Sequence, residues 1–157
     1  MDAVRLIAAG RRALAHSGAA MDIVWEAWQT QALAQGMGHW LAVSGPRELR
    51  AEARGLGEAG GRGCGVFHRA ALRGERTAPD QPPRAAQLTV VTDVRGSLLG
   101  LQDLLGEVGM ALVGVACGTD DEGLYWQCME SIDAADESSD RVRALLRRLT
   151  AHHHGAA

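Results

Sequence analysis

The sequence contains one glycine-rich motif of a type that binds phosphate groups. Residues 55–60 read GLGEAG and fit the G-x-G-x-x-G pattern of dinucleotide-binding turns. Such a turn requires a preceding strand and a following helix, because its glycines let the backbone approach a pyrophosphate at the helix N-terminus. The preceding residues are PRELRAEAR, which are charged and favour a helix. We therefore predict that this motif binds no cofactor.

Side chains that could bind a metal ion or act as nucleophiles are scattered along the chain. The histidines form neither a Glu-x-x-His nor a His-x-x-x-His pair, and no serine occupies a G-x-S-x-G turn. Cys117 and Cys128 fall on apolar helical stripes, the usual setting of packed core thiols. We predict no metal site and no catalytic residue.

The aromatic residues of the second predicted helix suggest a ligand pocket. Small-molecule sites are commonly apolar clefts with a few polar groups that fix the ligand's orientation. The predicted pocket is lined by Trp25, Trp28, Met37 and Trp40, with His39 or Glu26 as its polar group.

A second candidate site lies on the last predicted helix, where acids collect on one face. Residues 120–140 contain eight acids and no base. Acids near a helix N-terminus suit the helix dipole, so a solvated face would account for them. Aromatic side chains beside carboxylates also suit a protein interface, because aromatics anchor such contacts. The predicted interaction surface consists of Tyr125, Trp126, Glu130, Asp133 and Glu137.

These sites must be positioned by helices, of which the stretch 88–117 is the clearest. Its apolar residues recur at alternating steps of three and four from Val91 to Val115, the spacing of one helix face. The short apolar runs at 88–91 and 110–117 also allow strands, and each glycine weakens a helix by about 1 kcal/mol. We predict a long central helix. An α/β fold with strands at those two runs is the alternative.

The whole chain is predicted to be all-α, a bundle of about five helices in one domain over residues 1–150. The predicted helices lie near 2–16, 20–42, 46–73, 87–118 and 120–149, with a linker at 74–86 and a disordered tail at 151–157. Residues 57–65 are either helix or loop, because glycines four apart suit both a close helix contact and a break. The helix at 20–42 is apolar on nearly all sides, so it is either central or faces a second chain.

Composition limits the partners of the chain. The net charge of −3 argues against nucleic-acid binding, although Arg47, Arg50 and Arg54 share one predicted helix face. No run reaches the roughly 18 uninterrupted apolar residues of a membrane span, so we expect no membrane partner. Three cysteines without a C-x-x-C pair fit a reduced, cytoplasmic protein.

Three long runs of the sequence resemble a family of uncharacterised actinobacterial proteins, chiefly of Streptomyces type. They are MDAVRLIAAGRRALA, ERTAPDQPPRAAQLTVVTDVRG and ACGTDDEGLYWQCMESIDAADESSDRVR. The chain also has no lysine or asparagine, and all sixteen of its basic residues are arginine. Because lysine and asparagine codons are AT-rich, this composition indicates a GC-rich genome. The resemblance implies no catalytic residue, cofactor or partner.

We therefore expect a non-enzymatic interaction or regulatory helical module that forms a homodimer and can dock a protein partner. We expect self-association because the sequence predicts two wide apolar surfaces. They lie on the helix at 20–42 and on the face at 91–115, and together they exceed what one small bundle readily covers. The alternative is a small-molecule-binding or enzymatic helical domain built on the tryptophan-lined pocket.

Overall fold

The described part of the chain folds into five packed α-helices. The structure, a computed structural model, describes residues 1–72 and 82–155. The helices are α1 (Ala3–Ala15), α2 (Ala20–Ser44), α3 (Arg50–Leu72), α4 (Val94–Gly118) and α5 (Glu122–Gly155). Within these residues there is no strand, only one isolated bridge between Asp2 and Val90. The all-α prediction is confirmed, and the alternative with a strand at 110–117 is wrong.

Helix α2 lies at the centre of the bundle and packs against the other four helices. Its buried residues are spread around its circumference, as the sequence suggests for a helix that is apolar on nearly all sides. Of the two roles open to this helix, the central one is therefore what the structure shows. Its apolar residues that remain exposed are Met21 and Val43, near the two ends.

Helix α3 runs without a break through residues 57–65, where the sequence allowed either helix or loop. Glycines let α2 and α3 touch through their backbones. A Cβ atom at Gly38 would lie 2.3 Å from the backbone nitrogen of Gly57, and one at Gly60 would lie 2.5 Å from that of Gln35. These glycines are retained in helices because no side chain fits between the two backbones.

Helix α4 buries the face that its spacing predicts, including Leu98, Leu105 and Leu112. It begins at Val94, however, and not near residue 87. The side chain of Asp93 caps the helix by accepting a hydrogen bond from the Gly96 N–H at 2.9 Å. Residues 89–90 are extended because they bond to the chain start: the Thr89 N–H donates to the Met1 carbonyl at 3.0 Å.

Helix α5 differs from its predicted bounds at both ends. It begins at Glu122, and its cap is Asp121, whose carboxylate accepts a hydrogen bond from the Leu124 N–H at 3.1 Å. The helix then continues to Gly155, so residues 151–155 do not form the predicted disordered tail. Nothing in the run TAHHH breaks a helix, and His152 Nε2 lies 3.4 Å from the Glu48 carboxylate.

The predicted linker at 74–86 ends in a structured turn, and residues 74–81 lie outside the described residues. Arg84–Gln87 forms a 3-10 turn that packs on α2. The guanidinium of Arg84 pairs with the carboxylate of Glu26, and the Arg84 N–H donates to Gln29 Oε1 at 2.9 Å. This turn therefore joins α2 through a buried charge as well as through apolar contacts.

Candidate functional site

Two of the tryptophans predicted to line a pocket form a packed aromatic cluster. The ring centroids of Trp25 and Trp28 are 5.1 Å apart, and that of Trp28 lies 5.6 Å from Phe67 of α3. A space of only about 10 Å³ adjoins Trp28 and Phe67. This volume is about that of one water molecule, so the cluster leaves no room for a larger ligand.

The other three residues of the predicted pocket lie further along α2. Met37 is fully buried in the core, and Trp40 donates from Nε1 to the Thr89 carbonyl at 3.1 Å. His39 is exposed. Trp25 and Trp40 are separated by about 22 Å along one helix, at 1.5 Å per residue. The structure thus does not gather the five residues around one cavity.

His39 instead lines a groove of about 630 Å³ between α2, α3 and the turn at Arg84–Gln87. The floor of the groove is made of small residues, including Gly36, Gly57 and Gly61. Arg54 and Glu58 of α3 line it with exposed, charged side chains. The groove combines a flat apolar floor with ionisable groups, so it can accommodate a small molecule. The glycine spacing was the sequence signal for it.

The predicted acidic surface on α5 is exposed over part of its length. Tyr125 and Trp126 stack edge to face with ring centroids 5.3 Å apart, and Trp126 is 57% exposed. Asp133 is also exposed. Glu137 instead pairs with Arg62 of α3, and this hydrogen bond raises the pKa of the Arg62 guanidinium. Part of the acidic face is therefore used within the chain.

The outer face of α4 carries several exposed apolar side chains, with the exposed carboxylate of Asp103 among them. Met110 is 77% exposed, Val113 47% and Leu99 46%, and Cys117 lies on the same side. Sequence reasoning missed this face because it followed the stronger stripe that is now buried. Leu99 and Val113 are fourteen residues apart, two periods of a helix seam, with Gly106 midway between them. We call these exposed residues of α4 the α4 face.

Helix α4 is also the one described helix that is long and apolar enough to cross a membrane. An 18-residue window has a mean hydropathy of 1.5, and a third of that window is buried in the fold. The core helix of a water-soluble protein meets the same criterion, so the value by itself does not distinguish the two settings.

The three thiols differ in their surroundings. Burial raises the pKa of the Cys64 thiol to about 11 and also raises the pKa of Cys128. Cys117 is exposed on the α4 face, in contrast to the packed thiol that its apolar neighbours suggested. Cys117 is therefore the most accessible of the three thiols to reagents in solution. Within the described residues, no three His, Cys, Asp or Glu side chains cluster closely enough to hold a metal ion.

Comparison with known proteins gives one match, to DUF6099, a family of unknown function, over residues 1–148. The chain belongs to this family. No curated protein and no solved structure matches it.

The DUF6099 match extends over every candidate site described above. It includes the α4 face, the groove between α2 and α3, and the acidic part of α5, and it ends within α5 before the last turns. The match supplies the family and brings no residue roles with it.

Proposed function

We propose that this chain is a non-enzymatic interaction or regulatory module that self-associates through the α4 face. The observation that carries the proposal is the exposure of Leu99, Met110 and Val113 on one side of α4. Large exposed apolar patches are uncommon on monomeric proteins and mark sites of association. The sequence predicts self-association from the apolar surfaces of α2 and of the 91–115 stripe, but both are mostly covered within the chain. The support therefore comes from the α4 face.

The setting of the proposal is a reduced cytoplasm in a GC-rich, actinobacterial host. The odd number of cysteines supports the reduced compartment, and the absence of lysine and asparagine supports the GC-rich host. A further protein partner could dock on Tyr125 and Trp126, which are exposed beside Asp133. We propose no nucleic-acid or membrane partner, in keeping with the net charge of −3.

The test is the solution mass across a dilution series, measured by light scattering for the wild-type chain and for Met110→Glu. We expect a dimer that dissociates on dilution, with a dissociation constant raised by about tenfold or more in the variant, since a buried charge costs well over 1.4 kcal/mol. The matched control is Val43→Glu, since Val43 is 63% exposed on α2 and away from α4. A wild-type monomer at every concentration would contradict the proposal.

A second candidate function is small-molecule binding in the groove between α2 and α3. It is favoured by the volume of about 630 Å³ and by the charged groups of Arg54 and Glu58 over an apolar floor. Anilinonaphthalene sulfonate is a suitable probe, because it has a flat aromatic body and one anionic group. We expect its fluorescence to rise on binding and to lose most of that rise in Ala42→Trp, which fills the groove. Equal fluorescence in both chains would exclude the groove as the binding site.

A further inference from the structure

We propose that the groove between α2 and α3 binds a flat aromatic carboxylate, with the ring in the apolar end of the groove and the carboxylate at Arg54. This inference rests on small-molecule binding in the groove, the second candidate function, and adds the chemical class of the ligand. It follows from how apolar and charged groups are distributed along the groove.

The groove runs along an antiparallel pair of helices. A Cβ atom at Gly38 would lie 2.3 Å from the backbone nitrogen of Gly57, and one at Gly60 would lie 2.5 Å from that of Gln35. Residue numbers therefore fall along α3 as they rise along α2. Each residue that lines the α3 side of the groove can consequently be assigned a level on α2.

One end of the groove is apolar and is bordered by the turn at Arg84–Gln87. Arg84 Nη1 lies 3.3 Å from Glu26 Oε2, and a Cβ atom at Gly36 would lie 3.4 Å from Leu88. The turn therefore follows α2 from the level of residue 26 to that of residue 36. The groups that line this end of the groove are uncharged, namely Ala32, Gly61, Pro83, Ala85 and Ala86.

The floor of the groove lacks side chains at positions where the packing of the two helices would allow them. A Cβ atom at Gly57 would have its nearest described neighbour at 3.5 Å, and one at Gly36 at 3.4 Å, which are ordinary contacts. Only Gly38, with 2.3 Å, is required by close packing among these three. Glycine destabilises a helix relative to alanine, so the helix contact does not account for Gly36 and Gly57. Their effect is an open floor of backbone on which a flat ring can lie.

The other end of the groove is basic. Arg54 lines the groove near the level of Ala42, together with His39. Arg50, one turn earlier on α3, is held at this end because its Nε donates to the carbonyl of Gly45, the residue after α2, at 3.1 Å. The ion pairs among the described residues leave both guanidiniums without a carboxylate. Guanidinium groups bind carboxylates well, so this end favours an anionic head.

Glu58 is the one acid among the described residues that line the groove, and its charge acts partly on a base of its own helix. The hydrogen bond to Glu137 raises the pKa of the Arg62 guanidinium, and the charge of Glu58 adds to that rise. Arg62 lies one turn beyond Glu58, on the side away from Arg54. Glu58 therefore acts on two arginines, and the end of the groove at Arg54 stays basic.

The size of the groove suits a molecule of two fused rings with one carboxylate. Its volume of about 630 Å³ lies within the range of small-molecule sites. Arg54 and Gly61, at its basic and apolar ends, are separated by about 10 Å along α3, at 1.5 Å per residue. A ring system over the glycine floor can therefore place its carboxylate at Arg54.

The test uses three probes that share a naphthalene ring and differ in the head: naphthoate is anionic, naphthylmethanol neutral and naphthylmethylamine cationic. Each is titrated into the isotope-labelled full chain, and the backbone amide shifts of Gly36, Gly57 and Gly61 report occupancy of the groove. We expect saturable shifts with naphthoate. The dissociation constants of the other two probes should be about tenfold higher, because they lack a hydrogen bond to a charged group.

Arg54→Gln should raise the dissociation constant of naphthoate about fivefold to tenfold and leave that of naphthylmethanol unchanged. A merely structural role would weaken both probes. Glu58→Gln should lower the constant of naphthoate about twofold, because a nearby negative charge is removed. The matched control is Arg12→Gln, which should change neither constant, because Arg12 is exposed on α1 and this helix makes no substantial contact with α3 among the described residues.

Three results would overturn the inference and leave ligand binding in the groove in place. They are equal affinity for naphthoate and either of the other probes, equal weakening of acid and alcohol by Arg54→Gln, and equal weakening of naphthoate by Arg54→Gln and Arg12→Gln. The absence of glycine shifts with every probe would also overturn it. In that case a dye fluorescence that still depends on Ala42→Trp keeps the groove as a binding site, whereas equal fluorescence in both chains overturns the candidate function as well.

Discussion

At the scale of single residues, glycine determines how closely α2 and α3 approach. Gly38 is the sharpest case, because an added Cβ atom would lie 2.3 Å from the Gly57 nitrogen and 2.9 Å from the Ala53 carbonyl oxygen. Both are backbone atoms, which cannot move aside without shifting a helix. The groove that His39 lines exists because these two backbones touch beneath it.

We expect Gly38→Ala to lower the free energy of unfolding by about 1–3 kcal/mol, since overpacking outweighs the gain of about 1 kcal/mol in helix propensity. Denaturant unfolding measures this change. The matched control is Gly109→Ala, which lies in α4 with nothing within 4 Å of an added Cβ atom and should increase stability. Equal effects at the two sites would mean that α2 and α3 are not in backbone contact.

At the scale of elements, the turn at Arg84–Gln87 is held to α2 by a charge pair in addition to the apolar packing of Ala85. The Glu26 carboxylate is almost completely buried, whereas the Arg84 guanidinium is one-third exposed. Arg84 Nη1 also lies 3.3 Å from Glu26 Oε2, so two nitrogens of the guanidinium engage the carboxylate. Two-pronged pairs of this kind are the stronger ones, and they fix direction as well as distance.

Glu26→Gln should therefore cost about 1–3 kcal/mol of unfolding free energy, less than the 3–5 kcal/mol of a fully buried pair because Arg84 keeps contact with water. Faster amide exchange at residues 84–90 should accompany the loss. Asp140→Asn is the control, since Asp140 and Arg143 form an exposed pair at 2.5 Å whose loss should cost under about 1 kcal/mol. If the two variants lose the same stability, Glu26 does not hold the turn.

At the scale of the whole molecule, the two candidate surfaces belong to different parts of the bundle. The groove lies between α2 and α3, whereas the α4 face lies between α1 and α5, which are not in substantial contact. A substitution in one surface should consequently leave the binding measured at the other surface unchanged. Met110→Glu should weaken the dimer and leave dye binding unchanged, and Ala42→Trp should do the reverse. A variant that changed both properties would indicate that the dimer contact and the groove are coupled.

The sequence by itself predicted the all-α class, the apolar circumference of α2 and the buried face of α4, whereas the central place of α2 was one of two roles that the sequence allowed. These follow from the period and width of the apolar stripes, which are local properties of each helix. For the glycines at 57–65 it allowed either a close helix contact or a break in the helix. It could not give the first residues of α4 and α5, because Asp93 and Asp121 act as caps only where the preceding chain is extended. For α4, the contact of residues 89–90 with Met1–Ala3 holds that preceding chain extended.

Only the tertiary structure decided which apolar residues remain exposed. Tryptophans spaced along α2 read as a possible pocket, yet Trp25 and Trp28 pack on Phe67 while Trp40 bonds to Thr89. The α4 face is open because α1 and α5 stand apart on either side of α4. Exposure depends on which elements surround a helix, and a one-dimensional pattern does not contain that arrangement. The candidate interface was consequently visible only after the five helices were packed.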